Sequence, residues 1–256
     1  MADGPINVER HERKHGTIVV LTMDDGENRW NTTFSRAFDA ALDEVEATEG
    51  RAVLVTTSSN EKFFSNGLDL EWITSKGEHP GGDRKLFNSE VMALFARLIT
   101  LGLPSVCAVN GHCFGAGLMI AMCHDIRVMR EDRGFLCANE LELGFAIPEP
   151  ELALFRHKMS RPAFHQTTVL AKRWSGPDAL HAGIVQELAP LESVADVAMT
   201  QAEGLLRVAG SREITSWTKE HLYGENAAIN GPHGPAYMLR NQQDFLNGPG
   251  KVPKAP

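Results

Sequence analysis

Two stretches of the chain carry residue types and spacings suited to chemistry. The first is Asn110-Gly111-His112-Cys113-Phe114-Gly115-Ala116-Gly117-Leu118-Met119. An apolar run over 105–109 enters it, and a second over 118–122 leaves it. The first run is short and rich in small and β-branched residues, which predicts a buried strand. The second is β-branched only at Ile120, which predicts a buried helix. Glycines 111, 115 and 117 sit at the join, where the backbone can turn sharply and a ligand can approach the main chain. The free N–H groups of the new helix then face that ligand, and the helix dipole favours negative charge there. The pattern predicts a cradle for an anion, or for an oxygen that becomes one. The second stretch is Asn139-Glu140-Leu141-Glu142-Leu143-Gly144, two carboxylates in a mostly apolar context.

The glycine turn does not by itself say which anion. A phosphate loop would place Lys-Ser or Lys-Thr after its last glycine, and Leu118-Met119 stand there instead. A dinucleotide fingerprint would need a third glycine where Ile120 stands. A tight strand-to-helix turn that binds nothing is the other reading of the same residues. The four cysteines, 107, 113, 123 and 137, suit no disulfide framework. His112-Cys113 and Cys123-His124 invite a zinc reading, but mostly helical chain between them would hold the thiols on the order of 15 Å apart. Such thiols cannot share one tetrahedral ion, so buried structural cysteines are expected.

Stepping outward, the elements that would position these stretches alternate. Residues 7–13 predict an edge strand, turned by Gly16 into a stronger strand over 17–22. Thr32 or Thr33 can cap the next helix, whose face is Phe34, Phe38, Leu42 and Val45 and which Gly50 ends. A buried strand follows over 52–57. Two aromatics, Phe63 and Phe64, run into Ser65-Asn66-Gly67, a combination suited to an unusual backbone conformation. Residues 75–84, rich in Gly, Pro and charge, predict an exposed, mobile loop. Phe87, Val91, Leu94, Phe95 and Leu98 mark another helix face, broken at Leu103-Pro104. Short strands are expected over 126–129 and 135–138, then helices from Pro148 to Lys158, over 161–171, and from the Ser175 cap to Gly183. A strand over 184–188 closes the alternating part. The remainder predicts only helix, at 191–208, 211–222 and 235–246, with a break over 230–235.

The chain of 256 residues is long enough for one large core. A net charge of −8 argues against a general nucleic-acid binder. No apolar run of ~18 residues predicts a membrane span. The polar N-terminus lacks a signal-peptide core, and the C-terminus lacks the Ser-Lys-Leu peroxisomal address, so a cytoplasmic protein is expected.

Residues 63–69, 110–119, 139–144 and 175–185 stand in the order and spacing of the crotonase (enoyl-CoA hydratase/isomerase) superfamily, which the chain resembles over most of residues 15–190. The resemblance implies an α/β fold: a spiral of ββα units over 1–190, then a C-terminal helical trimerisation region over 191–256. It implies an acyl-CoA thioester substrate, with coenzyme A part of that substrate rather than a cofactor, no metal, and a homotrimer or hexamer. Two backbone N–H groups, on Leu68 and Ala116, are expected to hold the thioester oxygen. Preorganised donors of this kind stabilise the charge that grows on a carbonyl oxygen during proton abstraction. Substrate contacts are assigned by the same resemblance to Ser65, Asn66, Gly67, Phe114, Gly115 and Met119, and the CoA phosphates to Lys62 and Arg29.

The acids decide the chemistry. Hydratases of the superfamily use two glutamates; here Met119 stands at the first position and Glu140 at the second. A thioether neither activates water nor delivers a proton. One carboxylate suits a proton moved within the substrate, and the flanking motifs resemble Δ3,Δ2-enoyl-CoA isomerases. Glu140 is then the catalytic base, expected among Leu141, Met119 and Phe114 with a raised pKa. Glu149 is the alternative acid. Glu142 would face the same way as Glu140 if the segment is extended, Asp69 is expected to order its loop, and Asp125 to pair with an arginine or cap a turn. An enoyl-CoA hydratase, a dienoyl-CoA isomerase, and an inert CoA-binding protein of the same fold are the rival readings.

Overall fold

The computed structural model describes residues 4–75, 84–225 and 233–246. The predicted mobile loop over 75–84 lies outside the described residues for 76–83. Among the described residues no helix is long and apolar enough to cross a membrane.

Two parallel-stranded layers form the frame. β1 (Ile6–Arg13) pairs antiparallel with β2 (Gly16–Met23) across the predicted Gly16 turn. β2 continues into a six-stranded sheet with β3 (Ala52–Ser58), β5 (Ser105–Val109), β7 (Ile126–Arg130) and β9 (Glu187–Ala189), all parallel. A smaller parallel sheet contains β4 (Phe63–Ser65), β6 (His112–Phe114) and β8 (Leu136–Cys137), in that order. Each coil of chain therefore gives one strand to the large sheet and the next to the small one, as a spiral of ββα units requires. Every residue of β5 is buried, so its apolar run has no polar face. That is the pattern of a parallel strand covered on both sides.

Helices cover the two faces. α1 (Thr32–Glu46) buries Phe34, Phe38, Leu42 and Val45 as its spacing predicts. Its cap is Asn31, not Thr32 or Thr33: the Asn31 side chain accepts from the Phe34 N–H, and Thr32 is fully buried. α2 (Leu70–Thr74) and α3 (Arg84–Ile99) follow β4, and α4 (Ala116–Cys123) follows β6. α5 (Glu149–Lys158), α6 (Arg161–Thr168) and α7 (Gly176–His181) lead to β9. α8 (Val194–Leu205) lies on β3, β5 and β7, where Val194, Ala198, Ala202 and Leu206 complete a second apolar cluster. The first helix after residue 190 thus closes the sheet's own core. Leu206 is buried, whereas Val208 and Trp217 are exposed. The predicted helix over 235–246 is two, α10 (Pro235–Arg240) and α11 (Gln242–Leu246), parted at Asn241; α9 (Arg212–Tyr223) precedes them.

A buried polar seam lies below α4. Asp125 pairs with Lys219 at 2.7 Å rather than with an arginine, and it also accepts from the Ser105 N–H and hydroxyl. The Arg127 guanidinium donates to the carbonyls of Ile184 and His124. These bonds are the compensation that buried charge demands. All four cysteines are buried free thiols, and burial raises the Cys137 thiol to about 11 and the Cys123 thiol to about 12.

Candidate active site

The glycine turn differs from a direct strand-to-helix join. Between β5 and α4 the chain inserts β6, which runs between β4 and β8. Two of the three glycines make room for protein rather than for a ligand. A Cβ on Gly111 would stand 2.6 Å from the Lys62 carbonyl carbon and oxygen, and one on Gly117 would stand 2.6 Å from the Ser65 carbonyl oxygen. They let one coil of the spiral press against the preceding one. Gly115 has φ +51°, a left-handed conformation that an L side chain rarely adopts, and it hands the chain to α4.

The close approach sets two backbone donors side by side. Gly67, at φ +76°, places its Cβ position 2.9 Å from the Phe114 carbonyl oxygen and 3.6 Å from the Ala116 nitrogen. Leu68 is fixed from both sides: the Trp30 N–H donates to Gly67 O (2.8 Å) and the Asp69 N–H donates to Trp30 O (2.9 Å). No backbone carbonyl among the described residues accepts from the N–H of Leu68 or of Ala116. Asp69 orders this loop as expected, capping α2 through the Trp72 N–H and accepting from Asn31.

Leu68 and Ala116 line a cavity of about 460 Å³ together with Gly67, Gly115, Met119 and Glu140. Apolar side chains of α2 and α3, among them Ile73, Val91, Met92 and Phe95, form much of its wall. The Glu140 carboxylate lies against the glycine turn, its Oε1 3.3 Å from a Cβ placed on Gly115. Its Oε2 is buried without a hydrogen-bond partner. Burial pushes this carboxyl above its ordinary value. Met119 shares the cavity lining with it, Leu141 and Phe114 do not, and Leu141 is exposed.

The remaining predicted contacts divide. Asn66 and Arg29 line the cavity and share Glu27, which accepts from Asn66 Nδ2 at 2.8 Å and from Arg29 Nη2 at 2.6 Å. The Asn66 and Arg29 bonds hold the Glu27 carboxyl below its usual range. Ser65 and Phe114 are not part of the lining. The Ser65 hydroxyl accepts from Trp30 Nε1 and donates to Asn28 O, so it braces the loop from behind. Phe114 stacks on the His112 ring at 5.3 Å. Lys62 sits over the Phe63 ring and is also outside the lining.

The other acids are placed by local geometry. Residues Leu141–Leu143 form a 3-10 turn rather than an extended segment. Glu142 therefore faces outward and pairs with Arg173 at 2.9 Å. Glu149 is exposed at the start of α5, outside the lining. Two residues on, Glu151 is 5% exposed and does line the cavity. Sequence reasoning missed it. The available signal was its register: Glu151 stands three and four residues before Leu154 and Phe155, on the buried face of α5. Among the described residues no group of three His, Cys, Asp or Glu side chains could hold a metal ion.

Comparisons with known proteins agree with this geometry. Residues 13–244 match the family model described as Enoyl-CoA hydratase/isomerase. The chain is 32% identical over 224 residues to enoyl-CoA delta isomerase 2, peroxisomal, of Arabidopsis thaliana, covering 85% of this chain and 93% of that protein. It is 28% identical over 252 residues to a carnitinyl-CoA dehydratase of Salmonella enteritidis, covering 93% of each. Among solved structures, an apo enoyl-CoA isomerase of Mycobacterium tuberculosis superposes with TM-score 0.77 at 27% identity, over 95% of this chain and 97% of that one. Human mitochondrial delta3-delta2-enoyl-CoA isomerase shares the fold, with TM-score 0.78 at 23% identity over 94% of this chain and 88% of that one.

Proposed function

The chain belongs to the enoyl-CoA hydratase/isomerase family and is an enzyme, and from that premise we propose that it is a Δ3,Δ2-enoyl-CoA isomerase. The observation that carries the reading is the Glu140 carboxylate, which lies against the glycine turn and lines one cavity with the backbone donors of Leu68 and Ala116 and with Met119. The isomerase names of the Arabidopsis relatives support it.

The thioester carbonyl accepts from the N–H groups of Leu68 and Ala116. That polarisation acidifies the C2 proton between the carbonyl and the 3,4 double bond. Ionised Glu140 takes this proton, and the electron pair spreads over a dienolate whose oxygen the two donors hold. Protonated Glu140 then delivers the proton to C4, and the double bond reforms between C2 and C3. Burial makes Glu140 the stronger base, because its charged form is poorly solvated. Met119 fills the side from which a second acid would hold water. Arg29 is the cation at the cavity suited to a CoA phosphate. Coenzyme A stays joined to the acyl chain as its thioester throughout, and no separate cofactor takes part.

The test is turnover of a 3-enoyl-CoA, followed by the absorbance of the conjugated 2-enoyl product, beside hydration of crotonyl-CoA. Fast isomerisation with negligible hydration is expected. Robust hydration would overturn both the assignment and the single-acid mechanism. The working assembly in this reading is a trimer, or a hexamer built from trimers. The exposed apolar side chains of Ile214 and Trp217 on α9 support an association surface there. Sedimentation showing only monomer at micromolar concentration would sink this.

A further inference from the structure

The cavity wall contains one group that neither the double-bond shift nor an alkyl chain needs. Glu151, on the buried face of α5, lines the same cavity as Glu140. It is 5% exposed, its Oε2 has no hydrogen-bond partner, and none of the described ion pairs includes it. A leucine would suit an alkyl chain there, whereas a buried carboxyl with one oxygen left unpartnered is costly. A second unpartnered polar atom, Gln242 Nε2, lies behind the wall. Asn88 lines the cavity on the α3 face that also carries Val91, Met92 and Phe95, and it donates to Gln242 Oε1 at 2.6 Å. Gln242 is buried, its Nε2 is without a partner, and its helix α11 packs on α5.

We propose that Glu151 hydrogen-bonds a hydroxyl group on the acyl chain beyond C4, so that the enzyme selects hydroxylated 3-enoyl-CoA thioesters over plain ones. This rests on the acyl-CoA reading of the cavity. The position fits a chain contact rather than a share in proton transfer. Glu140 holds the place beside Gly115, and no hydrogen bond joins the two carboxyls. The protonation state fits a hydroxyl rather than a cation. Burial foremost, with the Glu140 charge adding to it, pushes the Glu151 carboxyl up to about 8, so at neutral pH it is uncharged. In that form it offers one O–H donor and a carbonyl acceptor, and a hydroxyl can engage both. A site that hydrogen-bonds a substrate hydroxyl discriminates against the analogue without it, because its own polar group is then left unpaired.

The experiment compares two 3-enoyl-CoA thioesters of equal chain length, one plain and one bearing a hydroxyl beyond C4. For each, kcat/KM is measured, and the corresponding saturated thioesters are titrated by calorimetry, which needs no turnover. The wild type should favour the hydroxylated chain by about tenfold or more in both readouts. Glu151→Leu should reverse that preference, and Glu151→Gln, which keeps a donor and an acceptor, should retain most of it. A wild type that binds the plain chain as well as or better than the hydroxylated one overturns the proposal, whether or not any variant folds. An unchanged preference in folded Glu151→Leu also overturns it. Should neither thioester turn over while the binding preference appears in the wild type and vanishes in Glu151→Leu, the isomerase reading fails and this one stands.

Discussion

Gly117→Ala adds a single methyl at the place where α4 meets the end of β4, and its effect can be worked from distances. The new Cβ would stand 2.6 Å from the Ser65 carbonyl oxygen, 2.8 Å from Ser65 Cβ and 2.9 Å from Ser65 Oγ. Ordinary contact begins near 3.4 Å, so the two coils must part by about 0.8 Å. Ser65 cannot yield alone, because its hydroxyl is tied to Trp30 Nε1 and Asn28 O. The displacement therefore reaches Gly67 and Leu68 on one side and Ala116 on the other. Two donors that must both lie ~2.7–3.1 Å from one oxygen do not survive a separation of that size, and losing one such donor costs ~10²–10³ in rate. We expect kcat for 3-enoyl-CoA isomerisation to fall by roughly 10²-fold, with overpacking destabilising the fold by ~1–3 kcal/mol. Product absorbance gives the rate and thermal melting the stability. Gly204→Ala in α8 is the matched control: its Cβ would meet nothing within 4 Å. It should leave the rate unchanged and add ~0.5–1 kcal/mol of stability. A folded Gly117→Ala enzyme within about threefold of the wild-type kcat would refute the claim that this contact sets the donor geometry.

Glu140→Gln keeps the side chain's size and removes the base, so isomerisation should be abolished while acyl-CoA affinity stays nearly intact. Retention of more than about a tenth of the rate would move the chemistry elsewhere, and Glu149→Gln, altering an exposed carboxyl, should lose far less. Met119→Glu should give detectable but poor hydration of crotonyl-CoA, since misplacement by ~1 Å can cost ~10²-fold, and it should slow isomerisation; a variant with no hydration at all would show that a second carboxyl is insufficient. The raised pKa of Glu151 has a definite sign for stability: burial makes the folded state hold that proton more tightly than the unfolded chain does. Its contribution is fully present below pH 4.5 and is lost as pH rises to about 8, a change on the order of 5 kcal/mol. Denaturant titrations should therefore find Glu151→Gln gaining on the wild type across that window, and parallel pH–stability curves would contradict the assignment.

The regular elements were legible where apolar spacing runs long enough to set a period. The face of α1 and the fully buried β5 needed nothing beyond residue order. Elements of three to five residues carry no such period, so β6 and α2 went unseen, and β6 was hidden inside the glycine turn itself. Capping turned on a neighbour: Asn31 and Thr32 both have capping side chains, and only the buried position of Thr32 decides between them. The site was legible as segments and less so as side chains. A motif names a stretch but not the direction of each residue in it. Ser65 and Phe114 belong to the right stretches yet point behind the loop and onto His112. Glu151 was missed for the opposite reason, because no motif contains it and only its register on α5 brings it to the cavity.

The distribution of charge around Glu140 follows from the same geometry. A cation beside this carboxylate would hold its proton affinity down and weaken it as a base. Arg29 lines the cavity, but its two bonds go to Glu27, which also accepts from Asn66, and none goes to Glu140. Arg173 is likewise spent on Glu142, which the 3-10 turn directs outward. The residue nearest to competing for protons is Glu151, and uncharged at neutral pH it neither repels the ionised Glu140 nor stabilises it as an ion pair would. Glu140 is thus left with burial as the dominant influence on its proton. In the proposed reaction a base raised chiefly by desolvation depends on the cavity staying dry, and that requirement falls on the apolar wall: Met119, Val91, Met92 and Phe95 all line the space in which water would otherwise lower its strength. In the proposed reaction Met119 then acts twice: it offers no acid to hold a water, and it helps to keep Glu140 basic enough to move a proton between two carbons.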